Sequence, residues 1–228
     1  MDKHSKAIVR AAKLGKTVRG PEGELRILHA LDLDVMPGDA VSIRGTSGSG
    51  KSTLLGLLAG LDQATEGEVY LFDRALTPLD EDARAALRAG QVGFVFQSFH
   101  LLGGMTAIEN VMLPLELGGA RDARDRAAVL LERVGLAGRR HHYPTQLSGG
   151  EQQRVAIARA FATGPRVLFA DEPTGNLDLA TGRRIADILH GLREETGTAL
   201  VLVTHDPQLA DRCERRLLLT DGRLESLT

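Results

Sequence analysis

Gly45-Thr46-Ser47-Gly48-Ser49-Gly50-Lys51-Ser52-Thr53 stands between a short apolar run, Ala40-Val41-Ser42-Ile43, and a helical pattern, Leu54-Leu55-Gly56-Leu57-Leu58. Strand, glycine-rich turn and helix, in that order, are the setting a phosphate-binding loop requires. Glycines let the backbone wrap closely enough to aim N–H groups at phosphate oxygens, and the helix start adds partial positive charge. Lys51 would bring a full charge to the β- and γ-phosphates. Ser52 would offer a hydroxyl to Mg²⁺, which also takes phosphate oxygens and keeps several waters. The expectation is a nucleoside triphosphate site over residues 45–53.

A second cluster completes the chemistry. The apolar run Val167–Ala170 leads directly into Asp171-Glu172. Two carboxylates at the end of a buried strand repel each other unless a cation is near. Neighbours on an extended chain point to opposite sides, so the two should have different tasks. Asp171 fits a Mg²⁺ ligand, and Glu172 fits the residue that orients and deprotonates the attacking water. Gln97 follows the apolar run Val92–Phe96, and its amide can reach Mg²⁺ or the lytic water. His205 follows Leu200–Thr204 in the same manner and can stabilise charge on the γ-phosphate. Both stand at the carboxyl ends of expected strands, where ligands collect in open α/β sheets.

The rest of the chain supplies the frame. Residues 7–44 read as short strands: Leu31, Leu33 and Val35 alternate with Asp32 and Asp34, and Arg19–Gly23 looks like a hairpin loop. Gly67–Phe72 is a further strand, and Glu81–Ala89 a short helix. From Ser98 to about Gly164 the pattern is helical. Thr106 with Glu109, and Ser148 with Glu151, have capping-box spacing; Pro114 limits or kinks the first of these helices. Arg121–Val134 is a charged, solvated helix, and another helix lies near Thr181–Arg193. Leu217–Leu219, Asp221-Gly222 and Leu224 predict a terminal hairpin.

Composition narrows the class. The chain has 228 residues, 43% of them hydrophobic and 25% charged, with a net charge of −2. That balance gives no global attraction for nucleic acid or anionic lipid. The single Cys213, in a polar stretch that reads as helical, suits a reducing compartment. No apolar signal core follows Met1–Lys6 and no run reaches spanning length, so membrane association is expected through a partner and not by insertion.

Leu147-Ser148-Gly149-Gly150-Glu151-Gln152-Gln153-Arg154, taken with the loop at 45–53, Gln97, Asp171-Glu172, Asn176-Leu177-Asp178 and His205 in that order, resembles an ABC-transporter ATPase domain over essentially the whole chain. The resemblance implies a P-loop NTPase fold of α/β class: a RecA-like core, an antiparallel β-subdomain and a helical subdomain. The core and β-subdomain would occupy 1–97 and 165–228, and the helical subdomain 98–164. It implies ATP and Mg²⁺ as ligands, Mg²⁺ being held by Ser52, Gln97 and Asp171. It also implies that Leu147–Glu151 serve the γ-phosphate bound to a second copy. Two ATPs would lie in a head-to-tail homodimer, with Asn176, Leu177 and Asp178 at the shared interface. Ser148 would cap its helix while bare N–H groups face the anion.

Phe94–Phe99, Ala107–Val111 and Ala170–Asp178 are similar to the MacB/LolD-type (YbbA-like) group within that family. The group implies an integral-membrane permease as partner and a place on the cytoplasmic face of a bacterial inner membrane. The output would be a mechanical stroke that exports or extracts lipoprotein, peptide, drug or other hydrophobic cargo. Two alternatives stay open: a regulatory module that switches a membrane partner without transport, and a soluble ABC ATPase of repair or translation. Phe99, Leu101, Leu102, Met105 and Ile108 are either a docking groove for the permease or subdomain core. The family often stacks an aromatic near position 18 on adenine; Val18 stands there, which implies modest affinity and weaker base selectivity. His141-His142 lack two further convincing metal ligands and read as surface residues.

Overall fold

The computed structural model describes residues 7–20 and 23–227. Contacts divide the chain into two compact units, Met1–Arg88 with Ala199–Thr228, and Ala89–Thr198.

In the first unit, β1 (Val9–Gly20) and β2 (Gly23–Val35) form an antiparallel pair closing at Gly20 opposite Gly23. The loop residues Pro21 and Glu22 lie outside the described residues. These are two long strands where several short ones were expected. Register shifts between Ala11 and Thr17 bend the pair, and Lys13 takes a left-handed φ of 51° within them. Bulges of this kind interrupt the apolar–polar alternation from which strand length is read. Where alternation survives it is obeyed: Leu31, Leu33 and Val35 are buried, and Asp32 and Asp34 exposed.

Strands β4 (Glu66–Leu71) and β5 (Arg74–Ala75) complete a sheet of order β2-β1-β4-β5. Gly67 is obligatory there, since its φ is +73° and a Cβ would stand 2.2 Å from the Lys13 carbonyl oxygen. A second layer holds β3 (Ala40–Arg44), parallel to both β8 (Ala199–Val203) and β9 (Arg215–Thr220). Every residue of β8 is buried, the signature of a parallel strand covered on both faces. Helices α1 (Lys51–Leu58) and α2 (Glu81–Arg88) belong to this unit, as does the short α7 (Pro207–Ala210). The expected terminal hairpin is present: β9 pairs with β10 (Arg223–Leu227) across Asp221 and Gly222, whose φ values of 49° and 70° suit a type I′ turn. Cys213 is buried in a bend between α7 and β9, not in a helix. Helix α7 ends at Ala210, and residues 211–214 are turn and bend before β9 begins at Arg215.

In the second unit, β6 (Val92–Phe96) runs parallel to β7 (Val167–Asp171), with Phe96 opposite Asp171. Only alternate residues of β6 are fully buried. Phe94 nonetheless stacks on Phe96 and Phe169 at 5.7 and 5.8 Å between ring centroids. Four helices follow the sequence signals: α3 (Ala107–Leu117), α4 (Ala123–Arg133), α5 (Gly149–Phe161) and α6 (Leu179–Thr196). Both expected capping boxes form, at Thr106 with Glu109 and at Ser148 with Glu151. Pro114 sits inside α3, whose last turn ends three residues later.

Candidate functional site

The loop at 45–53 leaves the carboxyl end of β3 and enters α1 through Gly50, whose φ is 96°. Gly48 is also left-handed, with φ 79°. Gly45 admits no side chain, because a Cβ would meet the Leu219 carbonyl oxygen at 2.5 Å and Ser49 Oγ at 2.6 Å. Helix α1 has no side-chain cap and no acidic residue in its first turn. Among the described residues no side chain therefore answers its first N–H groups or the positive end of its dipole. Lys51, 8% exposed, turns its ammonium back onto the loop, donating to the Gly45 and Thr46 carbonyls at 3.0 and 2.9 Å. Ser49 Oγ is buried and has no hydrogen-bond partner among the described residues. Such a loop lacks an acceptor of hydrogen bonds, which an anion supplies.

His205 emerges beside it. Ile43 of β3 pairs with Val203 of β8, and the Thr204 amide donates to the Ile43 carbonyl at 3.2 Å. His205 is exposed at the same carboxyl end from which the glycine-rich loop departs.

In the second unit, the pairing of Phe96 with Asp171 places Gln97 and Glu172 at equivalent positions past the ends of adjacent strands. Glu172 is left-handed, with φ 46°. A non-glycine residue held so costs about 1–3 kcal/mol, and such outliers gather at functional sites. Gln97 Nε2 donates to Asn176 Oδ1 at 3.0 Å, and Asn176 Nδ2 donates to the Gln97 carbonyl at 3.1 Å. Gly175 permits this approach, since a Cβ there would lie 2.9 Å from Gln97 Nε2.

Ser148 caps α5: its Oγ accepts from the Glu151 amide at 3.3 Å, and the Glu151 carboxylate accepts from the Ser148 amide at 2.8 Å. That backbone bond, with help from the Ser148 hydroxyl, Arg139 and Arg154, holds the Glu151 carboxyl below the ordinary glutamate range against the opposing effect of burial. Asp178 caps α6 through the amides of Ala180 and Thr181, and hydrogen bonds from Thr181 lead in depressing its carboxyl. The two helix starts border one depression of about 310 Å³, lined by Ser148, Gly149, Gly150, Asn176, Asp178 and Arg184 among others. Residues 148–151 and 176–178, whose facing ends are twenty-five positions apart in sequence, are thus brought together.

The family model described as ABC transporter matches residues 28–175. The chain belongs to that family. Among curated relatives, it is 56% identical over 220 residues to the uncharacterised ABC transporter ATP-binding protein YbbA of Escherichia coli K12, covering 96% of both chains. It is 50% identical over 222 residues to the lipoprotein-releasing system ATP-binding protein LolD of Pseudomonas syringae, covering 96% of this chain and 97% of that one. A solved dimer of the ATP-binding cassette MJ0796, in a post-hydrolysis state bound to ADP and Pi, superposes with a TM-score of 0.88 at 42% identity, covering 96% of this chain and 99% of that one. The expected ABC ATPase fold and the grouping with LolD- and MacB-type proteins are met.

Some contacts of this ABC cassette escape a sequence reading. Gln153 is wholly buried, and its Nε2 donates to the Pro173 carbonyl at 2.6 Å, fixing the residue that follows the strained Glu172. Thr181 packs so tightly on Gly150 that a Cβ there would lie 2.4 Å from its Cγ2. Arg154 donates to the Val134 carbonyl at 2.9 Å, and burial, then the neighbouring charge of Arg184, pushes its guanidinium below the ordinary arginine value. None of these contacts leaves a local pattern. Their only sequence signal is a polar residue on a helix face that is otherwise apolar. Of the apolar residues after Gln97, Ile108 is core, Phe99, Leu101 and Met105 are half-buried, and Leu102 is exposed.

Proposed function

We propose that the chain is the ATP-binding and ATP-hydrolysing subunit of a transporter, driving a membrane permease by closing head to tail with a second copy. The observation that carries the reading is the start of α1: an uncapped helix N-terminus, free of carboxylates, behind a loop with two left-handed glycines and Lys51. Residues 45–53 receive the triphosphate there.

Ser52, Gln97 and Asp171 would each offer an oxygen, and an all-oxygen set fits a hard cation such as Mg²⁺. When bound, Mg²⁺ neutralises charge on the β- and γ-phosphates. Glu172 receives the proton of the attacking water, and its strained backbone fixes where the carboxylate points. His205 donates to the γ-phosphate as charge builds. Gln97, held by Asn176, orients the water and reports on the segment beyond it. Leu147–Glu151, in the subdomain spanning 98–164, face the triphosphate of the opposite copy, and Asn176, Leu177 and Asp178 meet that copy. The dimer of the MJ0796 cassette supports this assembly.

The names of a lipoprotein-releasing system ATP-binding protein, LolD, and a macrolide export ATP-binding/permease protein, MacB, favour a permease partner and a lipoprotein or other hydrophobic cargo. The chain would sit peripherally on the cytoplasmic face of an inner membrane, held there by that integral-membrane partner. Among the described residues no helix is long and apolar enough to cross a membrane, which suits a peripheral subunit. The half-buried Phe99, Leu101 and Met105 with exposed Leu102 are the docking surface. Glu172→Gln tests the scheme. It should bind MgATP, turn over at least a hundredfold more slowly and elute as a dimer. Undiminished steady-state hydrolysis removes Glu172 as base, and a monomer under saturating MgATP removes the sandwich.

A further inference from the structure

The segment after Gln97 is held by side chains instead of a ladder. From Ser98 to Met105 it forms neither helix nor strand. Phe99 and His100 are consecutive left-handed residues, with φ 59° and 50°, and neither is glycine. Such a pair persists only where its surroundings over-determine it. Two helices do so. Asn110 of α3, wholly buried, accepts from the Leu102 amide at 2.8 Å and donates to the Leu102 and Met105 carbonyls at 3.2 and 3.1 Å. Arg159, near the end of α5, donates from Nη1 to the His100 carbonyl at 2.7 Å and from Nη2 to the Phe99 carbonyl at 3.0 Å. The His100 ring also stacks on Phe96, the residue before Gln97, at 4.7 Å between centroids.

Arg159 is the informative member. Its two terminal nitrogens go to adjacent main-chain carbonyls of the strained turn, a fit for a rigid planar fork that a lysine ammonium does not reproduce. Burial pulls its guanidinium below the ordinary arginine value, so the charge is kept there at a cost. The same helix starts at Ser148, and its thirteen residues form one unbroken rod. A turn that shifts must therefore drag α5 or break both charged hydrogen bonds.

We propose that Arg159 is a positioning residue that couples the turn carrying Gln97 to the helix carrying Ser148. This rests on the ATPase reading above only for its catalytic readout.

The test compares the wild-type chain with Arg159→Lys, Arg159→Gln, His100→Gly and the His100→Gly/Arg159→Lys double variant. It measures hydrogen–deuterium exchange and steady-state MgATP hydrolysis. Arg159→Lys should speed exchange over residues 98–105 about tenfold and leave α4 unchanged. It should lower kcat about tenfold with KM within twofold. Glycine takes a positive φ without strain, so His100→Gly in the double variant should bring both readouts back to within threefold of wild type. Arg159→Gln, which keeps a planar group with one donor arm, should fall between and serves if the lysine variant does not fold. Unchanged exchange overturns the proposal. So does faster exchange with normal kcat, loosening spread equally over α3 and α4, or a loss that glycine fails to rescue. A wild-type chain that does not hydrolyse MgATP would defeat the ATPase reading instead, and the exchange pattern with its rescue would then decide the clamp alone.

Discussion

Gln97 and Asn176 grip each other twice, side chain to side chain at 3.0 Å and side chain to main chain at 3.1 Å. A turn beyond one strand is thereby tied to a turn beyond its neighbour, and the amide of Gln97 has one orientation. Asn176→Ala removes both bonds, each worth about 0.5–1.5 kcal/mol net. Hydrolysis of MgATP should fall about threefold to tenfold, with nucleotide affinity little changed. Equal kcat in a steady-state assay would show that Gln97 needs no such support.

The left-handed backbone of Glu172 separates two substitutions that both remove its carboxylate. Alanine retains the strain of a φ near 46°, whereas glycine does not. Glu172→Gly should be more stable than Glu172→Ala by about 1 kcal/mol, measured by urea unfolding, although both abolish turnover. The reverse order would mean that the turn relaxes once the carboxylate is gone.

Gly150 faces Thr181 with no space to spare, at 2.4 Å from a hypothetical Cβ to Cγ2. Gly150→Ala should destabilise by about 1–3 kcal/mol, the usual cost of overpacking. Thr181→Ser, which deletes the opposing methyl, should recover most of it in the double variant. Thermal melts of the four proteins complete the cycle, and strict additivity would refute the contact.

Acid should loosen the capped helices. Glu109 and Glu151 both lie below the ordinary value of 4.5, through the Thr106 hydroxyl in the first case and the Ser148 amide in the second, each set against burial. A carboxyl depressed in the folded state contributes stability that is full above its unfolded value and lost as pH falls through the folded one. Tm should therefore hold above pH 5 and decline below pH 4.5. Glu151→Gln should start lower and decline less. An identical slope in that variant would remove Glu151 from the acid response.

Val18 lies half-buried in β1, opposite the exposed Leu25 of β2. If the base of the nucleotide rests near it, Val18→Tyr should tighten ATP binding by about 1–3 kcal/mol, the worth of stacking an aromatic on a base. The gain should exceed any gain for a triphosphate lacking a base. Titration calorimetry with ATP and tripolyphosphate measures the difference, and equal gains would place the base elsewhere.

Local physics explains what could be read from the chain alone. The glycine-rich turn, the two capping boxes and the Asp221-Gly222 hairpin each depend on residues within a few positions of one another, so their elements were legible. The carboxyl-end positions of Gln97, Asp171 and His205 followed from apolar runs that end abruptly. The positive φ of Glu172, the grip of Asn176 on Gln97 and the Thr181–Gly150 contact were not legible, because they join residues set side by side only after strands and helices pack. The length of β1 and β2 was underestimated for a related reason: a bulge erases the two-residue rhythm without ending the strand.

Asn110 holds its loop entirely through main-chain atoms: the Leu102 amide and the carbonyls of Leu102 and Met105. The side chains of half-buried Leu101 and Met105 and of exposed Leu102 make none of those bonds and are thereby released from that part of keeping the loop's shape. If that surface receives a membrane partner, as proposed above, an evolving lineage can rewrite it for a different one while the inner amide preserves the scaffold. Versatility of address and constancy of engine are then separable traits.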